Sequence, residues 1–322
     1  MSARNYTKEM TKRPELHPLT LADNNLVSHY LHQYPPLISE HTFTNLFIWQ
    51  PSRPIFFAEL ENSLIFLVRS ASQTNTYILF GPPVGRIGIP DVFTAFADSI
   101  IGAVRIPDRE VANISAQPYV IQEDRDNADY VYRVEDLAGL AGRRFAKKRN
   151  HIKQCLSSHI CEYISITPEL LAECEAMQEN WCKSRDCGRN PGLCNEANAV
   201  AETFAHFSEL NLLGGAIRVD GTIQAYAIAE ELHPGTAVWH FEKAMGNIQG
   251  LGQLINQWFS KNSLPGFKYV NREQDLGIPG IRQAKESYYP HHMVAKNCIT
   301  LSKEQPITAK SIKAEGCAAH EH

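Results

Sequence analysis

The spacing of apolar positions changes several times along this chain, and the changes mark out alternating helices and strands. Residues 21–34 repeat their apolar side chains at helical spacing, 43–49 form a short apolar segment, and 55–60 and 63–70 read as two strands joined near Glu61-Asn62. Residues 77–80 are a further strand, and Gly81-Pro82-Pro83 breaks the chain. A helix over 91–104 and a strand over 119–122 are expected next, then a polar turn at 123–129.

The second half has the same rhythm. Thr167-Pro168-Glu169 opens a helix through Trp181, with Pro168 suited to its first turn. Asn195-Glu196 leads into another helix, which Gly214-Gly215 is expected to stop. Asp220-Gly221 between two apolar runs is the strongest hairpin signal in the chain, and His233-Pro234-Gly235 turns a second hairpin into a strand over 237–244. After a glycine-containing loop come a helix (254–260), a strand (268–273), a helix (279–287) and a strand (292–301). This order predicts two α/β domains with mixed sheets, 1–135 and 157–301, joined by a basic helix at 136–156 and followed by a polar tail, 302–322, that is expected to fray.

The loop between the 237–244 strand and the next helix carries the most pointed chemistry. Gly250 and Gly252 have no Cβ, so backbone N–H groups can approach an anion closely, and the helix beginning near Gly252 adds the positive end of its dipole. Asn247, Gln249, Gly250, Gly252 and Gln253 are therefore the expected donor-binding residues, and Glu242 stands on the strand just before them. Together they suggest a transferase that holds a phosphorylated acyl carrier and deprotonates an amine. A tight strand-to-helix turn needing glycine is the plainer alternative.

Composition narrows the class. With 322 residues, 43% hydrophobic and 20% charged, this is an ordinary globular chain, and its net charge of −4 argues against a broad nucleic-acid surface. No apolar run reaches the roughly 18 residues of a membrane span, and the polar start of the chain has no signal-peptide segment, so a cytoplasmic enzyme is expected. The eight cysteines read as reduced thiols, and the spacing of Cys174, Cys182, Cys187 and Cys194 matches a zinc site poorly, so no metal is expected. Arg143, Arg144, Lys147, Lys148, Arg149 and Lys153 form a run without an acidic residue, either a solvated helix face or a contact for a polyanion such as tRNA.

The element order of the second half, antiparallel strands followed by a glycine loop, a helix, a strand, a helix and a strand, resembles the GNAT acyltransferase fold. Asn247-Ile248-Gln249-Gly250-Leu251-Gly252 keeps both glycines of that fold's pyrophosphate loop and places Asn at its first position. Further segments extend the likeness over roughly 16–301: Asp129-Tyr-Val-Tyr132, the basic stretch 140–152, His240-Phe-Glu-Lys243, residues 270–277 and Lys285-Glu-Ser-Tyr288. In order and content they are similar to a bacterial family grouped with the C-terminal domain of phosphatidylglycerol lysyltransferases. The resemblance implies two tandem GNAT-like acyl-CoA N-acyltransferase domains. It also implies transfer of an acyl or aminoacyl group from acyl-coenzyme A or aminoacyl-tRNA to an amine or hydroxyl, with a small molecule or peptide amine as acceptor.

Roles follow from chemistry and from the resemblance. Glu242 is the expected base and Tyr288 the expected acid, since a phenol with a usual pKa near 10 is protonated at neutral pH. Asn271 joins them as a catalytic candidate. Arg272, Glu273 and Asp275 crowd the same strand end, and His240, Lys243 and Lys285 are acceptor or supporting candidates. Strand alternation puts Asn271 and Glu273 on one face and Arg272 on the other. A salt bridge from Glu242 to an arginine, and a buried ion network around 271–275, are the competing structural readings. A noncatalytic ligand-binding or partner-binding protein on the same scaffold is the alternative to an enzyme.

Overall fold

The computed structural model describes residues 14–312 except Ser72, Asp98, Asn113, 115–117 and 302–305. Its first strands are β1 (His17–Pro18), β2 (Ile55–Leu60), β3 (Ser63–Arg69), β4 (Tyr77–Phe80), β5 (Ile100–Pro107), β6 (Tyr119–Glu123) and β7 (Asp129–Arg133). The rest are β8 (Cys161–Ser165), β9 (Leu213–Val219), β10 (Thr222–His233), β11 (Thr236–Ala244), β12 (Tyr269–Asn271), β13 (His292–Val294) and β14 (Lys296–Leu301). The helices are α1 (Asn24–Gln33), α2 (Phe43–Ile48), α3 (Ile89–Ala95), α4 (Asp108–Val111) and α5 (Val134–Gly139), then α6 (Ala146–Ser158), α7 (Leu171–Arg185), α8 (Pro191–Ala205), α9 (Leu251–Asn262) and α10 (Pro279–Glu286).

The strands form two seven-stranded mixed sheets, ordered β1-β2-β3-β4-β5-β14-β6 and β8-β9-β10-β11-β12-β7-β13. Read this way, the sheets match position for position. Each has one parallel pair, β4 with β5 and β11 with β12, and every other pairing is antiparallel. The fold is thus two tandem GNAT-like mixed sheets. The sheets also trade strands: β7 belongs by sequence to the first half but pairs with β12, while β14, from the far end of the chain, lies between β5 and β6. The cut expected at 135 is therefore crossed twice. One apolar cluster serves both sheets, joining Val27, Phe43, Leu46 and Phe66 from the first half to Phe204, Tyr226 and Phe241 from the second.

Three expectations are corrected. Residues 100–107 are strand β5 rather than the end of a helix; every residue of β5 is buried, and a short apolar run covered on both faces carries no alternation to distinguish strand from helix. Gly214 and Gly215 lie inside β9, where added Cβ atoms would meet Ile166 at 2.7 Å and the Tyr163 hydroxyl at 2.0 Å, so they permit close packing rather than stop a helix. The single strand expected at 292–301 is split at Ala295 into β13 and β14, one in each sheet. Within the tail, residues 306–312 pack back: Ile307 is buried, its N–H bonds Thr300 Oγ1 at 2.9 Å, and Ile312 bridges Ser70.

Candidate active site

The parallel ladder between β11 and β12 ends at Val238↔Asn271, yet β11 continues to Ala244. Past that point side chains span the opening. A β-bulge sets their directions: Ile228 pairs Phe241 and Ala229 pairs Trp239, which leaves His240 without a ladder partner on β10. The extra residue inverts the alternation, so Trp239 packs against Phe259 of α9 while Phe241 joins the cluster on the other face. Glu242 consequently returns to the α9 face, and Lys243 turns away to Glu196 Oε2 (2.6 Å) and Trp181.

On the α9 face Arg272 donates to Glu242 Oε2 at 2.9 Å, and Asn256 donates to the same oxygen at 3.1 Å, leaving Oε1 outside these bonds. The Arg272 guanidinium lies 4.7 Å from the ring centroid of Trp239, 5.3 Å from Tyr288 and 5.6 Å from Tyr132. Its Nη1 is buried without a hydrogen-bond partner among the described residues. Lys148 of α6 places Nζ 3.6 Å from the Tyr288 centroid and donates to Ser287 Oγ at 2.7 Å. Lys285 donates to the backbone carbonyls of Arg272 and Glu273. Burial and the neighbouring Arg272 push both lysines down to about 8. Burial, reinforced by the charge of Glu242, raises the Tyr288 phenol well above its ordinary value, so it stays protonated at neutral pH. Arg272, Lys148 and Lys285 against Glu242 leave the opening with excess positive charge.

On the opposite face His240 is held between two carboxylates, Nδ1 at 2.9 Å from Glu273 Oε1 and Nε2 at 2.8 Å from Glu230 Oε1. Burial disfavours its charged form, but the two acidic partners prevail and raise it to about 9. Asn271 lies on this face too, donating to Asp129 Oδ2 and accepting from the Glu273 N–H. Its grouping with Glu242 and Tyr288 is thereby corrected. Asp275 belongs to a third cluster: it is fully buried and accepts from Tyr130, Arg125, Arg282 and the Gly277 N–H. Although desolvation opposes it, the Arg282 and Tyr130 bonds hold its carboxyl far below the usual range. Lys285, an acceptor or supporting candidate in the sequence, donates instead to main-chain carbonyls.

The glycine loop divides in two. Gly250 caps α9 with φ +86°, and a Cβ there would sit 2.1 Å from the His151 carbonyl oxygen of α6. The close approach that this glycine permits is therefore made by a protein helix. Gly252, in the first turn of α9, has nothing within 4 Å of a Cβ position; Gln253 beside it is half-buried, and Asn247 and Gln249 are exposed. The basic run also splits. Lys148 enters the site, Arg149 donates to the Leu140 and Gly142 carbonyls behind α5, and Arg144 pairs Asp136 while covering Phe145 and Tyr289. Arg143, Lys147 and Lys153 are exposed.

Trp239, Tyr132 and Asn256 escaped the sequence reading as site residues. Tyr132 lies in one of the quoted segments and Trp239 three positions before Glu242, but no spacing rule forecasts a bulge. Among the described residues, no group of His, Cys, Asp or Glu is placed to hold a metal ion. Cys155, Cys161, Cys174, Cys182, Cys187 and Cys298 are free thiols, whereas Cys194 is disulfide-bonded, which corrects the all-reduced expectation at that residue. No described helix is long and apolar enough to cross a membrane.

The tandem pair of mixed sheets, with charged side chains spanning one strand opening, is a GNAT-like fold. Residues 32–300 match the phosphatidylglycerol lysyltransferase C-terminal family, and the chain belongs to that family. A conserved protein of unknown function from Bacteroides thetaiotaomicron VPI-5482 superposes with a TM-score of 0.82 at 29% identity, over 89% of this chain and 99% of that one. L-PGS from Bacillus licheniformis gives a TM-score of 0.61 at 13% identity, over 88% and 93% of the two chains. FemX gives 0.57 at 8%, over 89% and 98%, and at these identities the likeness speaks for the fold alone. Among curated proteins none matches.

Proposed function

We propose that this chain is an acyl- or aminoacyl-transferase whose activated acyl group sits in the opening between β11 and β12. The observation that carries this reading is the convergence of Glu242, Arg272, Tyr288 and Lys148 on one opening beyond the last parallel pair. Glu242 takes the proton from the acceptor amine or hydroxyl as that group attacks the acyl carbonyl. The new C–N or C–O bond forms, the bond from the acyl carbon to the carrier's oxygen or sulfur breaks, and Tyr288 protonates the leaving atom. Arg272 and Lys148 face the negative charge that develops, in surroundings poor in water where such attraction is strong. The carrier's phosphates lie toward the first turn of α9 at Gly252 and Gln253, and Arg143 and Lys147 meet a tRNA backbone. Such a donor places the reaction in the cytoplasm.

A second reading is supported by the bonds to Glu242 Oε2: a carboxylate committed to Arg272 and Asn256 serves a noncatalytic ligand site. Transfer of radiolabelled acyl groups from an acyl-coenzyme A panel and from charged tRNA decides between them. Glu242→Gln should lower turnover roughly 10²- to 10⁴-fold with little change in donor affinity, and Tyr288→Phe should slow it less. Turnover unchanged in Glu242→Gln leaves the noncatalytic reading.

A further inference from the structure

A cleft of about 410 Å³ opens between α1, the start of α2 and the turn from β10 to β11. Its size suits a small molecule. Glu230 on its wall bonds His240, on the face of β11 opposite Glu242, so the cleft is separate from the transfer opening. Leu31, Phe43, Leu210 and Leu232 give it apolar surface. Among the described residues, no lysine or arginine lines it; its carboxylates are Glu209, Glu230 and Glu231, and its other titratable side chains are His32, His41 and His233.

The walls offer acceptors. Thr44 Oγ1 donates to Glu230 Oε2 at 3.0 Å, and Asn24 Nδ2 donates to the Glu209 carbonyl at 3.2 Å, so neither of these donors faces the cleft unused. Each oxygen of Glu230 takes one bond, from Thr44 or from His240, and keeps a further lone pair. His41 is 1% exposed, and its Nε2 lies 3.0 Å from the Phe80 carbonyl. A carbonyl only accepts, so the proton sits on Nε2 and Nδ1 carries the lone pair. Burial lowers the basicity of the ring and keeps it neutral. Nδ1 has no hydrogen-bond partner among the described residues. An acceptor in so buried a side chain is costly to leave unmatched.

Cations behind the walls are engaged elsewhere. His240 is shared between Glu230 and Glu273, and Lys296, near His41, is paired with Glu40 and Asp129. His206 lies 3.8 Å from Glu209, while Glu231 is exposed at the rim. Arg53 stacks on Phe80 and Lys285 bonds main-chain carbonyls, and neither lines the cleft. A positively charged group that only donates fits these walls, and a hydrocarbon chain fits the leucines beside them. An alkylammonium is both. A metal ion does not fit, since no group of His, Cys, Asp or Glu among the described residues is placed to hold one.

We infer that this cleft binds an aliphatic primary amine, its ammonium head toward His41 and Glu230 and its chain along the apolar wall. The inference does not rest on the transfer reading.

Titration calorimetry and thermal shift on the full chain at fixed ionic strength test it. The probes are 1-aminobutane, 1-aminohexane and 1,4-diaminobutane, set against Mg²⁺ and against butyltrimethylammonium, which keeps the charge and has no N–H. At least one amine should bind saturably and raise the melting temperature, with butyltrimethylammonium roughly 10-fold weaker or more. Glu230→Gln should weaken amine binding roughly 10- to 100-fold, and Glu231→Lys, at the exposed rim, about 5-fold or more. Where Glu230→Gln fails to fold, Glu231→Lys and the methylated probe carry the test. No saturable binding, equal binding of butyltrimethylammonium, Mg²⁺ bound more tightly than every amine, or unchanged binding in Glu231→Lys would each overturn the inference. An amine held at the transfer opening would lose affinity in Glu242→Gln and keep it in Glu231→Lys, which also overturns it; equal binding by wild type and Glu242→Gln supports it.

Discussion

The two sheets share a strand plan but treat its one parallel pair differently. In the first sheet β4 ends at Phe80, where the ladder with β5 ends, and the Gly81 N–H still reaches the Val104 carbonyl at 2.9 Å. Arg105, the residue after the last paired one, is 6% exposed at its side chain and clamped by Glu40 and Asp124. In the second sheet β11 outruns β12, and Arg272, at the matching place after Asn271, is 13% exposed, held by one partly exposed carboxylate and by aromatic rings. The same topology has been closed by ion pairs in one half and left openable in the other. On the transfer reading, the site uses a ladder that stops short and a cation that can exchange its partner.

Substituting both arginines breaks this comparison most forcefully. Arg105→Met leaves Glu40 and Asp124 short of a partner in the interior and should cost about 3–5 kcal/mol in urea unfolding. Arg272→Met should cost less stability, under about 2 kcal/mol, while removing transfer activity. Equal stability losses from the two would mean that the second opening is as closed as the first.

The glycines give the next contrast. Gly250→Ala forces a side chain against the His151 carbonyl at positive φ and should destabilise by about 2–5 kcal/mol, whereas Gly252→Ala, in open space on a helix, should be neutral or stabilising by up to about 1 kcal/mol. Chemical denaturation measures both, and a Gly250→Ala chain as stable as wild type would show that α6 yields there.

The smallest effect is in pH. His240, raised to about 9 from an ordinary 6.5, contributes stability that is fully present below pH 6.5 and is lost as the pH rises through 9. Lys148 and Lys285, lowered to about 8 from 10.5, act with the opposite sign between 8 and 10.5 and cancel when wild type is compared with His240→Gln. The stability difference between the two proteins should shrink from pH 6.5 to 9. A constant difference would mean that His240 is neutral between its carboxylates.

Sequence carried the architecture further than the site. Turn chemistry at Asp220-Gly221 and period-2 runs located the hairpins, because those signals are local. Strand exchange was not legible: β7 and β14 look like ordinary strands, and which sheet receives them is decided by long-range pairing. Glu242, Arg272 and Tyr288 were singled out individually, and Arg272 was correctly set on the opposite face from Glu273. Their convergence with Lys148 depends on the bulge at His240, which reverses the facing of the four residues that follow it on β11 and leaves no mark in hydrophobic periodicity. Asn271 was grouped with the wrong partners for that reason.

The placement of β14 governs how the chain can be made. The first sheet has a gap between β5 and β6 that residues 296–301 fill, so on a ribosome the strands before it wait, with two unpaired edges, until residues 296–301 have emerged. The halves therefore cannot mature one after the other. A nascent chain halted before residue 296 would be a target for chaperones and proteases rather than a folded half-protein.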